Sequence, residues 1–360
     1  MNQAHRHARW QAEALERGWA ARRRLPLAAI YGTLVVLRQL AFRLGWMKVR
    51  RLPVPVIVVG NVVAGGAGKT PTVLALIGHL RERGWRPGVI SRGHGRQGSG
   101  IREVGPQTPA SEGGDEPVLI RCRTGVPVFV GADRAAAGRA LLASHPEVNL
   151  LLSDDGLQHL SLHGDVAVAV FDERGVGNGW LLPAGLLRET WPPGRWARTP
   201  DLLLLQHRDD RPAPAIPQPP GMACFHGRRH LSPTVTALDG RQQSLQFLAG
   251  TPFVAVAGLA QPDRFFEMLR SAGCTPTREW ALTDHAPPES YRPVLAEGLP
   301  VVCTEKDRAK LAEIWTENSP DVWSAALELA IDSGFFEQLD ARLCTLGSLP
   351  ASDKPGRRKG

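Results

Sequence analysis

The residues with the most specific chemistry lie in the stretch GNVVAGGAGKTPT at 60–72. Glycines let backbone N–H groups surround a phosphate, Lys69 would neutralise the β- and γ-phosphates, and the Thr70 hydroxyl is suited to Mg²⁺. The strict G-x-x-x-x-G-K-[ST] spacing is not met, because Val63 stands where its first glycine would be. The glycines before Lys-Thr still predict a phosphate-binding loop (P-loop), in which Lys69 is also catalytic. The predicted nucleotide-binding residues are Gly65, Gly66, Ala67, Gly68, Lys69 and Thr70.

Two acidic residues end a second apolar segment, VNLLLSDD at 148–155. A P-loop protein needs an acid near Mg²⁺ at the end of a neighbouring strand, and Asp154 and Asp155 are placed to hold the ion or its waters. A helix N-cap or a turn would explain either Asp alone. Both together, after a buried strand, predict a Mg²⁺ site made by Thr70, Asp154 and Asp155.

Two further motifs resemble nucleotide-binding patterns but lack their context. Residues 93–98 match G-x-G-x-x-G, yet the sequence after the third glycine is not helical, so a dinucleotide site is not predicted. The TEKD sequence at 304–307 has Lys306 and Asp307 adjacent, which is the wrong spacing for a guanine-binding N/T-K-x-D motif. Guanine specificity is therefore not predicted, and the role of this segment stays open.

Strand-like and helical segments alternate along the body of the chain. This alternation predicts an α/β fold: a P-loop NTPase-like parallel sheet domain, followed by a second, smaller α/β domain. The first domain has predicted strands at 54–59, 87–91, 126–130, 148–153, 166–171 and 201–206, with helices at 70–83 and 132–144. The second has predicted strands at 253–258, 299–303 and 323–331, with helices at 263–273, 308–314 and 335–343.

The predicted domain organisation has five parts. They are a basic amphipathic segment at 1–51, the P-loop domain at 52–221, a linker with short strands at 222–250, the smaller lobe at 251–345 and a disordered tail at 346–360. Five prolines in RPAPAIPQPP at 211–220 predict a stiff connector between the lobes. Two lobes with a P-loop in the first indicate a cleft that closes and excludes water.

The net charge of +8 is concentrated at the N-terminus. Residues 1–51 hold eleven Arg and Lys and two Glu, whereas the rest of the chain holds 32 basic and 33 acidic residues. The near-neutral body argues against a nucleic-acid enzyme. The five cysteines contain no C-x-x-C pair, which argues against a zinc ribbon or a disulfide scaffold and fits a reducing cytosol.

An apolar run of about thirteen residues, 25–37, lies inside this basic segment. It is shorter than a membrane-spanning helix, and basic clusters and tryptophans lie at both ends. We therefore predict a helix that lies on, or dips into, an anionic membrane surface. An uncleaved export signal and an ordinary buried helix with solvated ends are the alternatives.

The motifs, taken in order, resemble one family. They are VIVVGN and GGAGKTP, SRGHGR at 91–96, GDEP at 114–117, VGADR at 130–134, SDDGLQH at 153–159, GNGWLLPAGLLRE at 177–189, TDH at 283–285 and TEKD at 304–307. Together they look like tetraacyldisaccharide 4′-kinase, the lipid A 4′-kinase of Gram-negative bacteria, over roughly residues 20–340. The resemblance implies ATP-dependent phosphorylation of the 4′-hydroxyl of tetraacyldisaccharide 1-phosphate at the cytoplasmic face of the inner membrane, with ATP and Mg²⁺ and without nucleic acid or a protein partner.

The resemblance also implies roles for individual residues. Asp115 of GDEP and His285 of TDH match the pair regarded in the family as a catalytic dyad. Without the resemblance, Asp115 would be read as a surface-loop Asp and His285 as a solvated loop His. Further positions match residues that line the family's active cleft: Arg92, Arg134, Gln158, His159 and Glu189.

Two other classes of function fit parts of the sequence. A P-loop switch or metallochaperone-type NTPase, acting through a protein partner, would share the GGxGKT loop but would not account for GDEP or the basic N-terminus. A membrane-surface scaffold with a vestigial nucleotide site is disfavoured by the intact Lys69, Thr70 and Asp154. Phosphate transfer to a lipid separates these classes from a kinase.

Overall fold

The computed structural model describes residues 10, 12–66, 68–208, 213, 215–259, 261–283 and 286–346. Within these residues, thirteen strands form one sheet in the order β11-β10-β12-β13-β8-β7-β6-β1-β5-β2-β4-β3, and β9 pairs with β8. The strands are β1 Val56–Gly60, β2 Pro87–Ser91, β3 Arg102–Glu103, β4 Val128–Val130, β5 Leu150–Asp154, β6 Val166–Phe171, β7 Leu202–His207, β8 Cys224–Ala237, β9 Gln242–Ser244, β10 Val254–Gly258, β11 Arg278–Leu282, β12 Val301–Thr304 and β13 Val322–Ile331.

Helices cover the sheet and connect its strands. They are α1 Trp19–Arg23, α2 Leu25–Arg43, α3 Lys69–Glu82, α4 Ala110–Gly113, α5 Asp115–Thr124, α6 Arg134–Ser144, α7 Pro262–Ser271, α8 Arg292–Leu295, α9 Glu305–Ile314 and α10 Ser333–Thr345. Two short 3₁₀ turns lie at Leu245–Leu248 and Pro288–Tyr291. The predicted α/β class, with a P-loop NTPase-like sheet and a second α/β region, is confirmed.

Strand β1 is buried on both faces because a hydrophobic core lies on each side of it. All five of its residues are buried. Ile57 and Val59 join a core with the apolar side chains of α3, whereas Val56 and Val58 join the core on the other face. A strand covered on both faces reads as a continuous apolar run, so VIVVG could be recognised from its sequence.

The parallel register brings several loops to one edge of the sheet. Strand β1 lies between β5 and β6, with Val59 opposite Asp154. Strand β5 also pairs with β2, where Ser153 lies opposite Ile90. The P-loop, the two aspartates and Arg92 therefore follow neighbouring strands at their carboxyl ends, where ligands bind in open α/β sheets.

Strand β8 joins the two halves of the sheet, β1–β7 and β8–β13. Its first residues pair in parallel with β7, and it then runs antiparallel to β13. The sequence predicted short strands here, but β8 has 14 residues because it pairs with a different strand on each side. Residues 211, 212 and 214 of the predicted connector and residues 347–360 of the predicted tail lie outside the described residues, and the domain boundaries stay predictions.

The N-terminal helix α2 is longer than the apolar run that predicted it. It has 19 residues, because Arg38, Gln39 and Arg43 continue the helix, and by length and composition alone it could cross a membrane. Its polar side chains instead contact the body: the Tyr31 hydroxyl donates to the carbonyl of Arg188 at 2.9 Å, and Arg38 donates to the carbonyl of Gln158 at 2.8 Å. Helix α2 thus forms part of the site described next.

Candidate active site

The P-loop backbone is held by donors outside the loop. The Asn61 amide donates to the carbonyls of Val63 and Gly65, at 2.6 and 3.2 Å. The Arg174 guanidinium donates to the carbonyls of Ala64 and Gly66, at 3.1 and 3.0 Å. A P-loop binds phosphate through its N–H groups, so donors that engage its carbonyls hold the loop in the orientation that phosphate binding needs. Ala67 lies outside the described residues.

Gly68 must be glycine for two reasons. Its φ of +80° lies in the left-handed region, and a Cβ built on it would lie 1.8 Å from Oε1 of Gln206. The Gln206 amide donates to the carbonyl of Gly68 at 2.8 Å and to the Thr72 hydroxyl at 2.6 Å. Gln206 therefore connects the end of β7 to the start of α3 and fixes the P-loop.

Lys69 lies at the centre of a chain of charges. Its ammonium group is 3.4 Å from Oδ1 of Asp155 and 3.3 Å from Oδ1 of Asn61. The Arg188 guanidinium lies 3.1 Å from the same Oδ1 of Asp155. Burial raises the pKa of Asp155, but the charges of Lys69 and Arg188 outweigh burial and hold it below its usual value. Asp155 is thus an anion between two cations.

The neighbouring Asp154 is in a different environment. It is 1% exposed, and only its Oδ2 accepts a hydrogen bond, from Ser91 at 3.3 Å, while its buried Oδ1 accepts none from the described residues. Burial and the charge of Glu116 raise the pKa of Asp154 to about 7. A divalent cation bound to this carboxyl group would lower its pKa again and ionise it.

These oxygens fit a magnesium ion. The buried Oδ1 of Asp154, the adjacent Asp155 and the Thr70 hydroxyl are oxygen ligands of the kind that Mg²⁺ prefers. In the described residues, no group of three or more His, Cys, Asp or Glu could hold a metal ion by itself. Mg²⁺ is usually held by one or two carboxylates together with substrate phosphates and water.

A pocket of about 430 Å³ lies between helix α2 and the carboxyl edge of the sheet. It brings together all five residues that the resemblance placed in the cleft, with four arginines among its lining residues. The lining residues are Tyr31, Val35, Arg38, Gln39, Arg92, Ala132, Arg134, Asp155, Gln158, His159, Leu160, Arg188 and Glu189. The cluster of positive charge suits an anionic ligand.

A hydrogen-bonded network fixes the wall of this pocket. The Gln158 amide donates to Glu189 at 2.6 Å and to the carbonyl of Asn61 at 3.0 Å. The Gln39 amide donates to the other oxygen of Glu189 at 3.0 Å.

Burial, with the charges of Arg134 and Arg38, lowers the pKa of His159 to about 4, so His159 is neutral at pH 7.

A second pocket of about 540 Å³ extends from the P-loop to the other half of the sheet. Lys69 and Thr70 line one end, and side chains of α7 and the first turn of α9 line the other, among them Phe265, Met268 and Lys306. The two pockets share Asp155 and Arg188. A ligand in one pocket can therefore approach a ligand in the other at this pair.

The glycine-rich sequence around Asp115 indicated a loop, but the structure places Asp115 in a helix. It is the first residue of α5, because Gly114, with a φ of +87°, turns the chain into the helix and Pro117 is tolerated in a first helical turn. Its carboxylate lies 3.4 Å from the ammonium group of Lys306 on α9. His285 lies outside the described residues, so its pairing with Asp115 stays a prediction.

Several residues at this site were not identified from the sequence, among them Arg174, Arg188 and Gln206. Arg174 and Gln206 lie at or just after the carboxyl ends of buried strands β6 and β7. The same signal, polar side chains where a buried strand ends, had identified Asp154. Arg188 lies in the motif LLPAGLLRE. Its role could not be recognised without the fold, which brings it next to Asp155.

A P-loop between a parallel strand and a helix, an acidic pair on the next strand and an adjoining anion pocket define a P-loop phosphotransferase. The family model described as tetraacyldisaccharide-1-P 4′-kinase (LpxK) matches residues 20–344. The chain belongs to this family.

Individual relatives agree with the family match. A tetraacyldisaccharide 4′-kinase of Acidovorax sp. (strain JS42) is 48% identical over 342 residues, covering 94% of this chain and 96% of the relative. That of Polaromonas naphthalenivorans (strain CJ2) is 46% identical, covering 95% and 96%. A crystal structure of LpxK from Aquifex aeolicus in complex with ATP is 26% identical, with a TM-score of 0.75, covering 90% of this chain and 99% of that one.

Removing Lys69 tests the P-loop directly. We expect Lys69→Ala to lower kcat by on the order of 10²-fold or more, because a fixed cation worth roughly 3 kcal/mol to the transition state is lost. Arg81→Ala, an exposed cation at the other end of α3, is the matched control and should leave kcat unchanged. A Lys69→Ala enzyme with half the wild-type kcat would show that this loop does not serve phosphoryl transfer.

Proposed function

We propose that the chain transfers the γ-phosphoryl group of ATP to the 4′-hydroxyl of tetraacyldisaccharide 1-phosphate, a step of lipid A biosynthesis. The observation that carries this proposal is the meeting of two pockets at Asp155 and Arg188, one along the P-loop and one lined by arginines. A switch or metallochaperone-type NTPase has no need for a second anion-binding pocket beside the P-loop. The family match favours the kinase independently of the pockets.

The arrangement accounts for the requirements of phosphoryl transfer. Such a reaction needs little covalent chemistry from the protein, so catalysis rests on positioning and on neutralising the charge of the transferred group. Lys69 and Arg188 provide fixed cations on the two sides of Asp155. The arginines of the smaller pocket, Arg38, Arg92 and Arg134, would hold the anionic acceptor beside them.

A sugar hydroxyl is a poor nucleophile, and a carboxylate that takes its proton assists the attack. We assign this role to Asp115, with His285 orienting the carboxylate and passing the proton on. Thr70, Asp154 and Asp155 would hold Mg²⁺, which supplies further charge neutralisation at the ATP phosphates when bound. The support for this assignment is the match of these positions to the family's motifs.

We further propose that α1 and α2 bind the cytoplasmic face of the inner membrane, where an acylated substrate would be located. Leu27, Ile30, Leu34 and Leu37 are all more than half exposed and follow one another along α2 at helical spacing. Exposed Trp19 and Trp46 lie beyond its two ends, next to arginines and a lysine. This combination is typical of helices that lie in a membrane interface.

Transfer of labelled phosphate tests the proposed activity. With γ-labelled ATP, Mg²⁺ and the tetraacyldisaccharide 1-phosphate in detergent micelles, we expect the label to appear in the lipid. Arg188→Met should abolish this transfer, because it removes the cation between the two pockets. Hydrolysis of ATP with no labelled lipid would contradict the proposal and would favour an NTPase that acts through a protein partner.

The membrane surface can be tested without changing the pocket. Substituting Leu27, Ile30, Leu34 and Leu37 together by Gln should abolish flotation with anionic liposomes, while Ile101→Gln, at an exposed apolar residue elsewhere, should not. Salt should also weaken binding of the wild-type chain, because basic residues contribute about 1 kcal/mol each near such a surface. Equal flotation of the quadruple variant would refute this surface.

Substitution of the proposed dyad tests whether its members act as one unit. We expect Asp115→Ala and His285→Ala each to lower kcat by about 10²–10⁴-fold with little change in ATP affinity, and the double variant to be little worse. Steady-state kinetics of the three variants decides this. Losses that multiply would assign the two residues independent roles, and normal kcat in His285→Ala would exclude His285 from the mechanism.

A further inference from the structure

The TEKD segment at 304–307, whose sequence gave no function, contacts two parts of the site at once. It forms the end of β12 and the first turn of α9. Thr304 is the N-cap of α9, since its hydroxyl accepts a hydrogen bond from the N–H of Asp307. The next two side chains, Glu305 and Lys306, point at helix α5, which begins with Asp115.

Asp307 anchors this turn inside the second half of the sheet. It is fully buried, and it accepts hydrogen bonds from the N–H of Gly258 at 3.1 Å, from the Tyr291 hydroxyl at 2.5 Å and from the Thr304 hydroxyl at 2.6 Å. With three donors on one carboxylate, the first turn of α9 is held in one place. The position of Lys306 is therefore set by the second half of the sheet.

The contacts from α9 to α5 are matched in charge to the ends of α5. Lys306 and Lys310 lie 3.4 and 3.7 Å from Oδ2 of Asp115, at the N-terminus of α5. Glu305 lies 3.2 Å from Arg123, in the last turn of the same helix. The lysine pairs at one end of α5 and the glutamate pair at the other fix both the position and the direction of α5, because a reversed α5 would place like charges together.

Lys306 differs from Lys310 in its surroundings. Lys306 lines the larger pocket together with Lys69 and Thr70, whereas Lys310 does not line it. The Lys306 side chain is 14% exposed and that of Asp115 is 10% exposed, so their attraction is only weakly screened by water. Lys306 thus connects the Asp115 carboxylate to the lining of the larger pocket.

We propose that Lys306 is a positioning residue that holds the Asp115 carboxylate beside the nucleotide cleft and links it to the second half of the sheet. This inference rests on the role proposed above for Asp115. Because Lys306 and Asp115 come from different halves of the sheet, the pair forms only when the two halves are together, and the base is in place only then.

The other charged and titratable groups around Asp115 are the same in wild type and variant. Among the described residues they are Lys310 on α9, Glu116 on α5 and Tyr291 in the turn before α8, and the loop of His94 lies against Gly114. Removing the charge of Lys306 therefore changes one interaction of the carboxylate. Loss of a neighbouring cation raises the pKa of a carboxyl group, so the acidic limb of the rate profile moves to higher pH.

Kinetics of Lys306→Met and Lys306→Arg, with Arg308→Met as control, test the inference. Arg308 is a cation of the same helix that bonds the carbonyl of Ala237 instead of Asp115. We expect Lys306→Met to lower kcat by roughly 10–100-fold, to leave the KM for ATP within about threefold, and to shift the acidic limb of kcat upward by about one pH unit. Lys306→Arg should restore the limb, and Arg308→Met should not move it.

The opposite outcomes are specific. A Lys306→Met enzyme with wild-type kcat and an unmoved acidic limb would overturn the inference, as would a raised KM for ATP with an unmoved limb, which would make Lys306 a nucleotide ligand. Asp115→Asn measured in parallel separates the two proposals: wild-type activity there refutes the role of Asp115 itself. Urea unfolding of each variant confirms that the comparison is made between folded proteins.

Discussion

The ion pairs of Asp155 with Lys69 and Arg188 are the interaction on which the rest of the site depends. Among the described residues, Asp155 is the one acid that lines both pockets, and its two cations come from the P-loop and from the motif LLPAGLLRE. The Lys69 side chain is 9% exposed, so losing Asp155 would leave its charge uncompensated, and the three residues hold one another in place. They lie where the pocket along the P-loop meets the smaller pocket beside α2.

The sheet supplies this geometry because its parallel strands end at one edge. Strands β1, β5 and β2 are neighbours, and their order in the sheet is enough to bring together the P-loop, the pair Asp154 and Asp155, and Arg92. Helix α2 closes the smaller pocket from outside through Tyr31 and Gln39. The exposed apolar stripe of α2 and the side chains that line the pocket thus belong to the same helix. With the proposed membrane contact, this helix would bring a lipid from the bilayer directly to the pocket.

The pattern of apolar residues and glycines along the sequence was enough to predict the buried strands and the P-loop. The glycines before Lys69 and the acids at the end of β5 could be predicted as a nucleotide site because each motif consists of consecutive residues, and the structure places the two motifs on neighbouring strands. Prediction from sequence failed where the contacting residue is distant along the chain. The ion pair of Asp115 with Lys306 on α9 was not predicted, and neither was the ion pair of Arg188 with Asp155. The length of β8 was also missed, because its pairing partners β7 and β13 are distant in sequence.

The most direct test is a crystal structure with a non-hydrolysable ATP analogue, Mg²⁺ and the tetraacyldisaccharide 1-phosphate bound together. The quantity to measure is the distance from the 4′-oxygen to the phosphorus of the terminal phosphate. The account predicts that the triphosphate occupies the P-loop and the disaccharide the pocket beneath α2, with these two atoms about 3–3.5 Å apart beside Asp155 and Arg188. A disaccharide bound outside that pocket, with its 4′-hydroxyl directed away from Arg188, would contradict it.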